Sequence, residues 1–387
     1  MRALFVAHSF PRFEGDAAGS FILGLATALV NHGVEVRVIA PSAMGLDRTS
    51  VIHGIEVLRF RYAPYSRETL AYRGTMADDV ARSVVAKMAL GSFIVSETRA
   101  ILAQASAWKP DVIHAHWWFP NGVAASTASR LSGVPLITTS HGSDLRLLQH
   151  KPAARPLARY VFRRSARVTC VSSWLAAQAA PFCRTAPIVA PMPVATSLFE
   201  PTEDRDGNRI IFVGRLSLQK GIETAMRALA LMKRSTVLDV IGDGPDRGRL
   251  VELADKLGLS DRIIWRGHVK HGELPRLLAR ASVLIAPFVD EGLGLVAAEA
   301  QLCETPPVAF ASGGLTDVIE NNVTGVLVTP GDVDGLAAGV GKILQDPSLR
   351  ERLGRAGRVA ALARFSPATV AERYAGIYRD AVSEHAK

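Results

Sequence analysis

The chain of 387 residues reads as an α/β protein built from two doubly wound parallel-sheet halves. Three observations predict this. Short apolar runs rich in β-branched residues alternate with helical patterns from one end to the other. Several of the runs, such as Ile210-Ile211-Phe212-Val213, are apolar throughout, as strands covered on both faces require. A proline-rich stretch, Pro181 to Pro193, and a polar one, Glu200 to Asn208, bracket a linker between halves that repeat one plan. The length suits two domains of ordinary size, and no tandem repeat or low-complexity tract interrupts them.

In the first half, 1 to 185, strands are expected near 2 to 8, 34 to 40, 111 to 116, 135 to 140 and 167 to 171. In the second, 195 to 365, they are expected near 209 to 213, 237 to 241, 262 to 266, 283 to 286 and 326 to 328. Ile210-Ile211-Phe212-Val213-Gly214 is a buried strand running into Arg215-Leu216-Ser217-Leu218-Gln219-Lys220-Gly221, and a helical pattern follows from Ile222 to Met232. Two fixed cations therefore sit just beyond a strand's carboxyl end, where open parallel sheets bind ligands. Arg as a planar fork and Lys as a mobile point charge suit a diphosphate; a solvated basic loop is the plainer alternative. Val237-Leu238-Asp239-Val240-Ile241 before Gly242-Asp243-Gly244-Pro245 repeats the strand-then-glycine pattern.

The most informative run lies between Asp290 and Ala300: Glu291-Gly292-Leu293-Gly294-Leu295-Val296-Ala297-Ala298-Glu299. The first acid precedes the helical pattern and the second lies inside it. If a helix opens at Leu295, its free amides and positive dipole end face the glycine turn and suit an anionic phosphate. Glu291 is then placed for sugar hydroxyls and Glu299, a turn further on, for the two hydroxyls of a ribose. An exposed loop acid followed by a helix-surface acid is the other reading.

His141 follows the buried strand Pro135-Leu136-Ile137-Thr138-Thr139, at a carboxyl end, with Gly142 after it and Asp144 close by. A lone histidine is also a common structural hydrogen bonder. His114 and His116 alternate onto one face of a strand beside Trp117 and Trp118. No acid or cysteine stands at a ligand spacing from them, so packing is favoured over a metal site.

Formal net charge is +9. Residues 1 to 190 hold 21 Lys plus Arg against 11 Asp plus Glu, whereas the remainder holds 24 against 25. Arg59, Arg61, Arg67 and Arg73 interleave with Phe60, Tyr62, Tyr65, Leu70 and Tyr72, and a second basic cluster runs from Arg155 through Arg167. Such surfaces suit anionic lipid head groups, lipid-diphosphate carriers or acidic glycans; a solvated basic face is the alternative. No nucleic-acid-binding module accompanies the charge. Cys170, Cys183 and Cys303 form no disulfide framework. The first residues resemble a strand rather than a cleavable leader, and no apolar run is long enough to span a bilayer. A cytoplasmic location is expected, with peripheral contact at the inner face of an anionic membrane left open.

The segments just quoted, with Gly33-Val34-Glu35-Val36-Arg37-Val38, Thr139-Ser140-His141-Gly142-Ser143-Asp144, Ser312-Gly313-Gly314 and Gly325-Val326-Leu327-Val328, resemble the retaining, nucleotide-sugar-dependent glycosyltransferases of GT-B fold, often called family four. The resemblance covers nearly the whole chain. It implies an acceptor-binding first domain onto which a final helix, 367 to 387, packs back, and a nucleotide-sugar-binding second domain with the nucleotide between them. It implies that Arg215 and Lys220, next to Gly214, hold the donor diphosphate and that Glu299 binds the ribose. Glu291 and the amides of Gly292, Leu293, Gly294 and Leu295 match contacts to sugar and phosphate, and His141 matches a histidine reaching the donor sugar. Gly15, Asp16 and Gly19 occupy the place of a glycine-rich loop near the phosphates and acceptor, departing from its double-glycine form. Pro191-Met192-Pro193-Val194-Ala195 and Leu302-Cys303-Glu304-Thr305-Pro306-Pro307 depart from the family pattern too.

The expected activity is transfer of a hexose-type sugar from a nucleotide diphosphate sugar to a glycan or lipid-linked acceptor, in cell-surface polysaccharide or glycolipid synthesis. No cofactor and no metal are expected. No secure base or nucleophilic carboxylate is readable, so the resemblance implies retention, with catalysis mainly electrostatic at the departing diphosphate. Rivals are a sugar-nucleotide 2-epimerase of the same architecture, a non-catalytic nucleotide-sugar-binding protein and, least, a dinucleotide-dependent oxidoreductase, for which the first loop lacks a clean glycine fingerprint.

Overall fold

The computed structural model describes residues 1–72, 76–270 and 272–385. The chain forms two compact units, Met1–Pro193 with Pro367–Lys387, and Val194–Ser366.

In the first unit the elements run β1 (Arg2–Val6), α1 (Ser20–Asn31), β2 (Glu35–Pro41), β3 (Thr49–Ile52), β4 (Ile55–Phe60), α2 (Met76–Arg82), α3 (Val84–Ala107), β5 (Val112–His116), α4 (Val123–Ser132), β6 (Leu136–Ser140), α5 (Ser143–His150), α6 (Arg155–Arg164), β7 (Arg167–Cys170), α7 (Ser173–Ala179) and β8 (Ile188–Val189). The sheet order is β3-β4-β2-β1-β5-β6-β7-β8, parallel except where β3 pairs antiparallel with β4. All of β5 and β6 is buried, the condition that selects continuous apolar runs. With β1 between β2 and β5, the chain reverses direction of build there, and the loops after β1 and β5 meet at a switch point.

The stretch 59–73, which begins at the end of β4, was read from sequence as a basic surface, and part of that reading is corrected. Arg59 is buried; it donates from Nη2 to the Pro11 carbonyl at 2.6 Å and from Nη1 to Tyr72 Oη at 2.9 Å. Tyr62 and Leu70 belong to the core. Arg61 lies over the Tyr65 ring at 3.6 Å, Arg67 is exposed, and Arg73 lies outside the described residues. In the second cluster Arg155, Arg159, Arg163 and Arg164 are exposed on α6, while Arg167 pairs with Glu384.

The second unit holds β9 (Arg209–Val213), α8 (Ile222–Ala230), β10 (Val237–Ile241), α9 (Arg247–Lys256), β11 (Ile263–Gly267), α10 (Leu274–Arg280), β12 (Val283–Ala286), α11 (Leu295–Leu302), β13 (Pro307–Phe310), α12 (Leu315–Val318), β14 (Val326–Val328), α13 (Val333–Gln345) and α14 (Pro347–Phe365). Its sheet is parallel in the order β11-β10-β9-β12-β13-β14, with the switch point between β9 and β12. Strand β13 escaped sequence reading because it opens on Pro307; proline is admissible at a strand's first residue, where no ladder N–H is needed. Arg205 secures the irregular run before it, donating to the Cys303 carbonyl at 2.9 Å and to Thr305 Oγ1 at 2.7 Å.

The last helix, α15 (Pro367–His385), belongs to the first unit and packs on α1 and β5. Tyr374 Oη donates to the Ala190 carbonyl at 3.0 Å, and Tyr378 Oη lies 2.7 Å from His114 Nδ1. Among the described residues no helix is long and apolar enough to cross a membrane.

Candidate active site

In the second unit the loops on either side of the switch point, 214–221 after β9 and 287–294 after β12, are tied together. The Val289 amide donates to the Gln219 carbonyl at 3.1 Å. Gly214, at the end of β9, donates from its amide to the Ile241 carbonyl at 2.9 Å. Arg215 is exposed and pairs with no described residue. Lys220 Nζ lies 2.6 Å from Glu291 Oε2 and 4.4 Å from the centre of the Phe288 ring. These two residues were read from sequence as serving different parts of a ligand; the fold makes them an ion pair.

The turn Glu291 to Gly294 leads into α11, which starts at Leu295 and has no side-chain cap. Gly294 sits in the left-handed region at φ 88, which places no Cβ penalty on the entry to the helix. The Ala297 amide turns back onto the Gly294 carbonyl at 2.9 Å, which leaves the Leu295 and Val296 amides without an acceptor among the described residues, an anion-binding arrangement. Behind it runs Ser312-Gly313-Gly314, quoted above only as a motif. The Gly314 amide donates to the Glu291 carbonyl at 2.7 Å, and Ser312 Oγ accepts from the Asp290 amide at 3.1 Å. A Cβ on Gly314 would fall on the Gly292 carbonyl oxygen and Leu293 Cα. Glu299 lies one turn into α11, its carboxyl without a hydrogen bond or ion pair among the described residues; burial lifts that carboxyl to about 7.

In the first unit, Gly15 stands at the open tip of the loop after β1, and Gly19 begins α1 so close to that loop that a Cβ would fall on the Ser9 carbonyl oxygen. Asp16 does not stand free. Its Oδ2 accepts from Arg12 Nε at 2.6 Å and from the Arg12 amide at 3.0 Å, and Oδ1 accepts from the Ala18 amide at 3.2 Å. Burial opposes ionisation, but Arg12 and these amides outweigh it and hold the carboxyl below its ordinary value. Arg12, missed in the sequence, thereby braces the loop.

His141, just past β6, is half-buried among aromatic rings: Phe21 at 5.0 Å, Trp117 at 4.8 Å and His116 at 5.3 Å between centroids. Asp144 Oδ1 accepts from the His141 and Gly142 amides at 3.2 and 3.1 Å. Burial, then the neighbouring His114 and His8, lowers the His141 imidazole to about 3. His114 is buried between Tyr378 and Thr139, with Nε2 2.6 Å from Thr139 Oγ1. No group of three or more His, Cys, Asp or Glu among the described residues is arranged to hold a metal. The His8, His116 and Phe21 neighbours of His141 come from the loop after β1, from β5 and from α1, long-range contacts that no local spacing signals.

Known proteins are similar to this chain in sequence and in fold. Residues 195–360 match the family "Glycosyl transferases group 1" and residues 17–190 match "Glycosyl transferase 4-like domain". The chain is 33% identical to a D-inositol 3-phosphate glycosyltransferase of Acidothermus cellulolyticus over 328 residues, covering 76% of this chain and 72% of that one. It is 29% identical to glycogen synthase of Mycobacterium tuberculosis over 413 residues, covering 98% and 94%. Sucrose-phosphate synthase of Thermosynechococcus elongatus superposes with TM-score 0.83 at 22% identity over 99% of both chains. HepE of Anabaena, solved with UDP and glucose, superposes with TM-score 0.74 at 19% identity over 98% and 99%. Agreement of this extent, in both halves and in order along the chain, makes the protein a member of the group 1 glycosyltransferases of GT-B fold.

Proposed function

We propose that the protein is a retaining glycosyltransferase that moves a hexose-type sugar from a nucleotide diphosphate sugar to a glycan or lipid-linked acceptor in cell-surface polysaccharide or glycolipid synthesis. The observation that carries the donor reading is the Lys220–Glu291 pair at the switch point of the second sheet, with exposed Arg215 on the same loop as Lys220 and the start of α11, which has no side-chain cap, following Glu291. Two cations and free amides at one switch point suit a diphosphate. In this reading Lys220 leaves Glu291 for the phosphates, Glu291 and the Gly292 to Leu295 amides take sugar and phosphate oxygens, and Glu299 takes the ribose. His141 contacts the donor sugar, and the loop bearing Gly15, Asp16 and Gly19 lies by phosphate and acceptor.

Catalysis is then stabilisation of charge growing on the leaving diphosphate. The acceptor attacks the face that the diphosphate leaves, and a diphosphate oxygen takes the acceptor proton. Arg215, Lys220 and the α11 amides do this without a metal, as preorganised donors in a partly desolvated site. The exposed arginines of α6 suit an anionic acceptor carrier at a membrane surface. The test is nucleotide release and product anomericity with uridine, guanosine and adenosine diphosphate hexoses, starting with UDP-glucose because HepE was solved with UDP and glucose. Release of nucleotide with a product of inverted configuration would remove the retaining mechanism; a changed donor sugar without acceptor would make the protein an epimerase.

A further inference from the structure

His116 lies in β5 with its ring wholly buried. It packs against His114 at 4.2 Å between centroids on one side and stacks on His141, at an interplanar angle of 29°, on the other. Its Nδ1 stands 3.1 Å from His141 Nε2. Its Nε2 is buried with no hydrogen-bonding partner among the described residues. Burial keeps both rings neutral, lowering His116 well below its ordinary value and His141 to about 3.

Two neutral imidazoles share one proton across such a contact, and the unpartnered His116 Nε2 decides where it is. Were the proton on His141 Nε2, His116 would accept at Nδ1 and carry its own proton on Nε2, a buried N–H with nothing to donate to. With the proton on His116 Nδ1, the atom left over is a lone pair. Orphaned buried N–H groups are the rarer and more costly defect, whereas an under-used acceptor is better tolerated.

We infer that His116 donates from Nδ1 to His141 Nε2, fixing His141 as its Nδ1–H tautomer, so that His141 meets its ligand as a hydrogen-bond donor. His116 is thus a positioning residue acting through His141. Phe21, Trp117 and the Asp144 clamp on the His141 and Gly142 amides hold the ring and its backbone in place. The ligand atom addressed is an oxygen lone pair, of a sugar hydroxyl or a phosphoryl group. That consequence rests on the donor contact proposed above; the location of the proton does not.

The test begins with two-bond proton–nitrogen correlation spectra of the full chain labelled with 15N-histidine. His141 is expected to show a protonated Nδ1 and an unprotonated Nε2, and His116 a protonated Nδ1. A wild-type spectrum with His141 protonated on Nε2 overturns the inference. In His116→Leu the His141 signals should move to a tautomer mixture, and the donor KM should rise about fivefold to tenfold, the worth of one neutral hydrogen bond, with kcat changed less. His116→Asn, which keeps an N–H donor near the position of Nδ1, should restore most of the affinity. If the wild-type tautomer is as stated but the KM of a folded His116→Leu is unaltered, the positioning role falls and with it the donor contact of His141. Should His116→Leu fail to fold, the wild-type spectrum alone decides.

Discussion

Lys220 Nζ and Glu291 Oε2 stand 2.6 Å apart, so a cation from the loop after β9 and an acid from the loop after β12 close the switch point of the second sheet as one ion pair. The pair retains about a fifth of its side-chain exposure, 23% for Lys220 and 19% for Glu291. Its contribution to stability is therefore modest, about 1 kcal/mol or less.

Lys220→Ala should lower turnover by about 100-fold to 1000-fold, the usual loss for one preorganised charge contact, with little change in melting temperature. Arg215→Ala should act in the same direction. Initial rates with the donor found in the release screen check both, and near-normal turnover in the two variants would refute the phosphate role.

With Glu299 at the ribose, as proposed, donor binding should depend on pH. Its folded value of about 7 means that the carboxylate is mostly protonated at pH 6 and mostly ionised at pH 8, and the ionised form accepts better from a ribose diol. Donor affinity should rise across that interval. Glu299→Gln should weaken binding and flatten the profile. An unchanged donor KM in the variant contradicts ribose recognition.

Gly314→Ala should destabilise the second unit by about 1–3 kcal/mol, the range for overpacking a close contact. The new Cβ meets the backbone of Gly292 and Leu293 and has no flexible side chain to displace. Donor affinity should fall as well, because the same backbone forms the turn. Denaturant midpoints and calorimetric titration with nucleoside diphosphate measure the two effects; no change in either means that the turn yields.

The first unit should lose stability in mild acid. Burial lowers His8 to about 4 and His114 and His141 to about 3, with His116 lowered further by its histidine neighbours. A folded value below the unfolded one makes this contribution complete above about 6.5 and lost progressively toward 3 to 4. The slope is up to about 1.4 kcal/mol per pH unit for each histidine. Melting curves between pH 7.5 and 4.5 test this, and a level profile would show that the rings protonate freely.

Glu97 in α3 presents the opposite sign. It is wholly buried, neither carboxyl oxygen has a partner among the described residues, and desolvation raises it well above its ordinary value. Stability bound to its protonated form is present below the unfolded value and declines as pH rises toward the folded one. Glu97→Met, similar in shape and without the desolvation cost, should stabilise the protein at pH 8 by about 1–3 kcal/mol. A lower denaturant midpoint would reveal an unseen partner.

The sequence by itself determined most of the strands that carry the sites and the chemistry at their ends. Strands β9, β10, β12 and β14 occupy the residues expected of them, because a strand buried on both faces needs a continuous apolar run and leaves that mark locally. The positions of Arg215, Lys220 and Glu291 in the loops beyond β9 and β12, and of Glu299 in the helix that follows, were legible for a related reason: glycines flag the loops where such strands end. Tertiary structure decided the pairings. That Lys220 meets Glu291, Gly314 backs Gly292, His116 touches His141 and Arg59 turns inward to Pro11 and Tyr72 depends on strand order and crossover packing. These contacts join residues remote in the chain, and neither periodicity nor spacing records which remote loops a sheet will bring together.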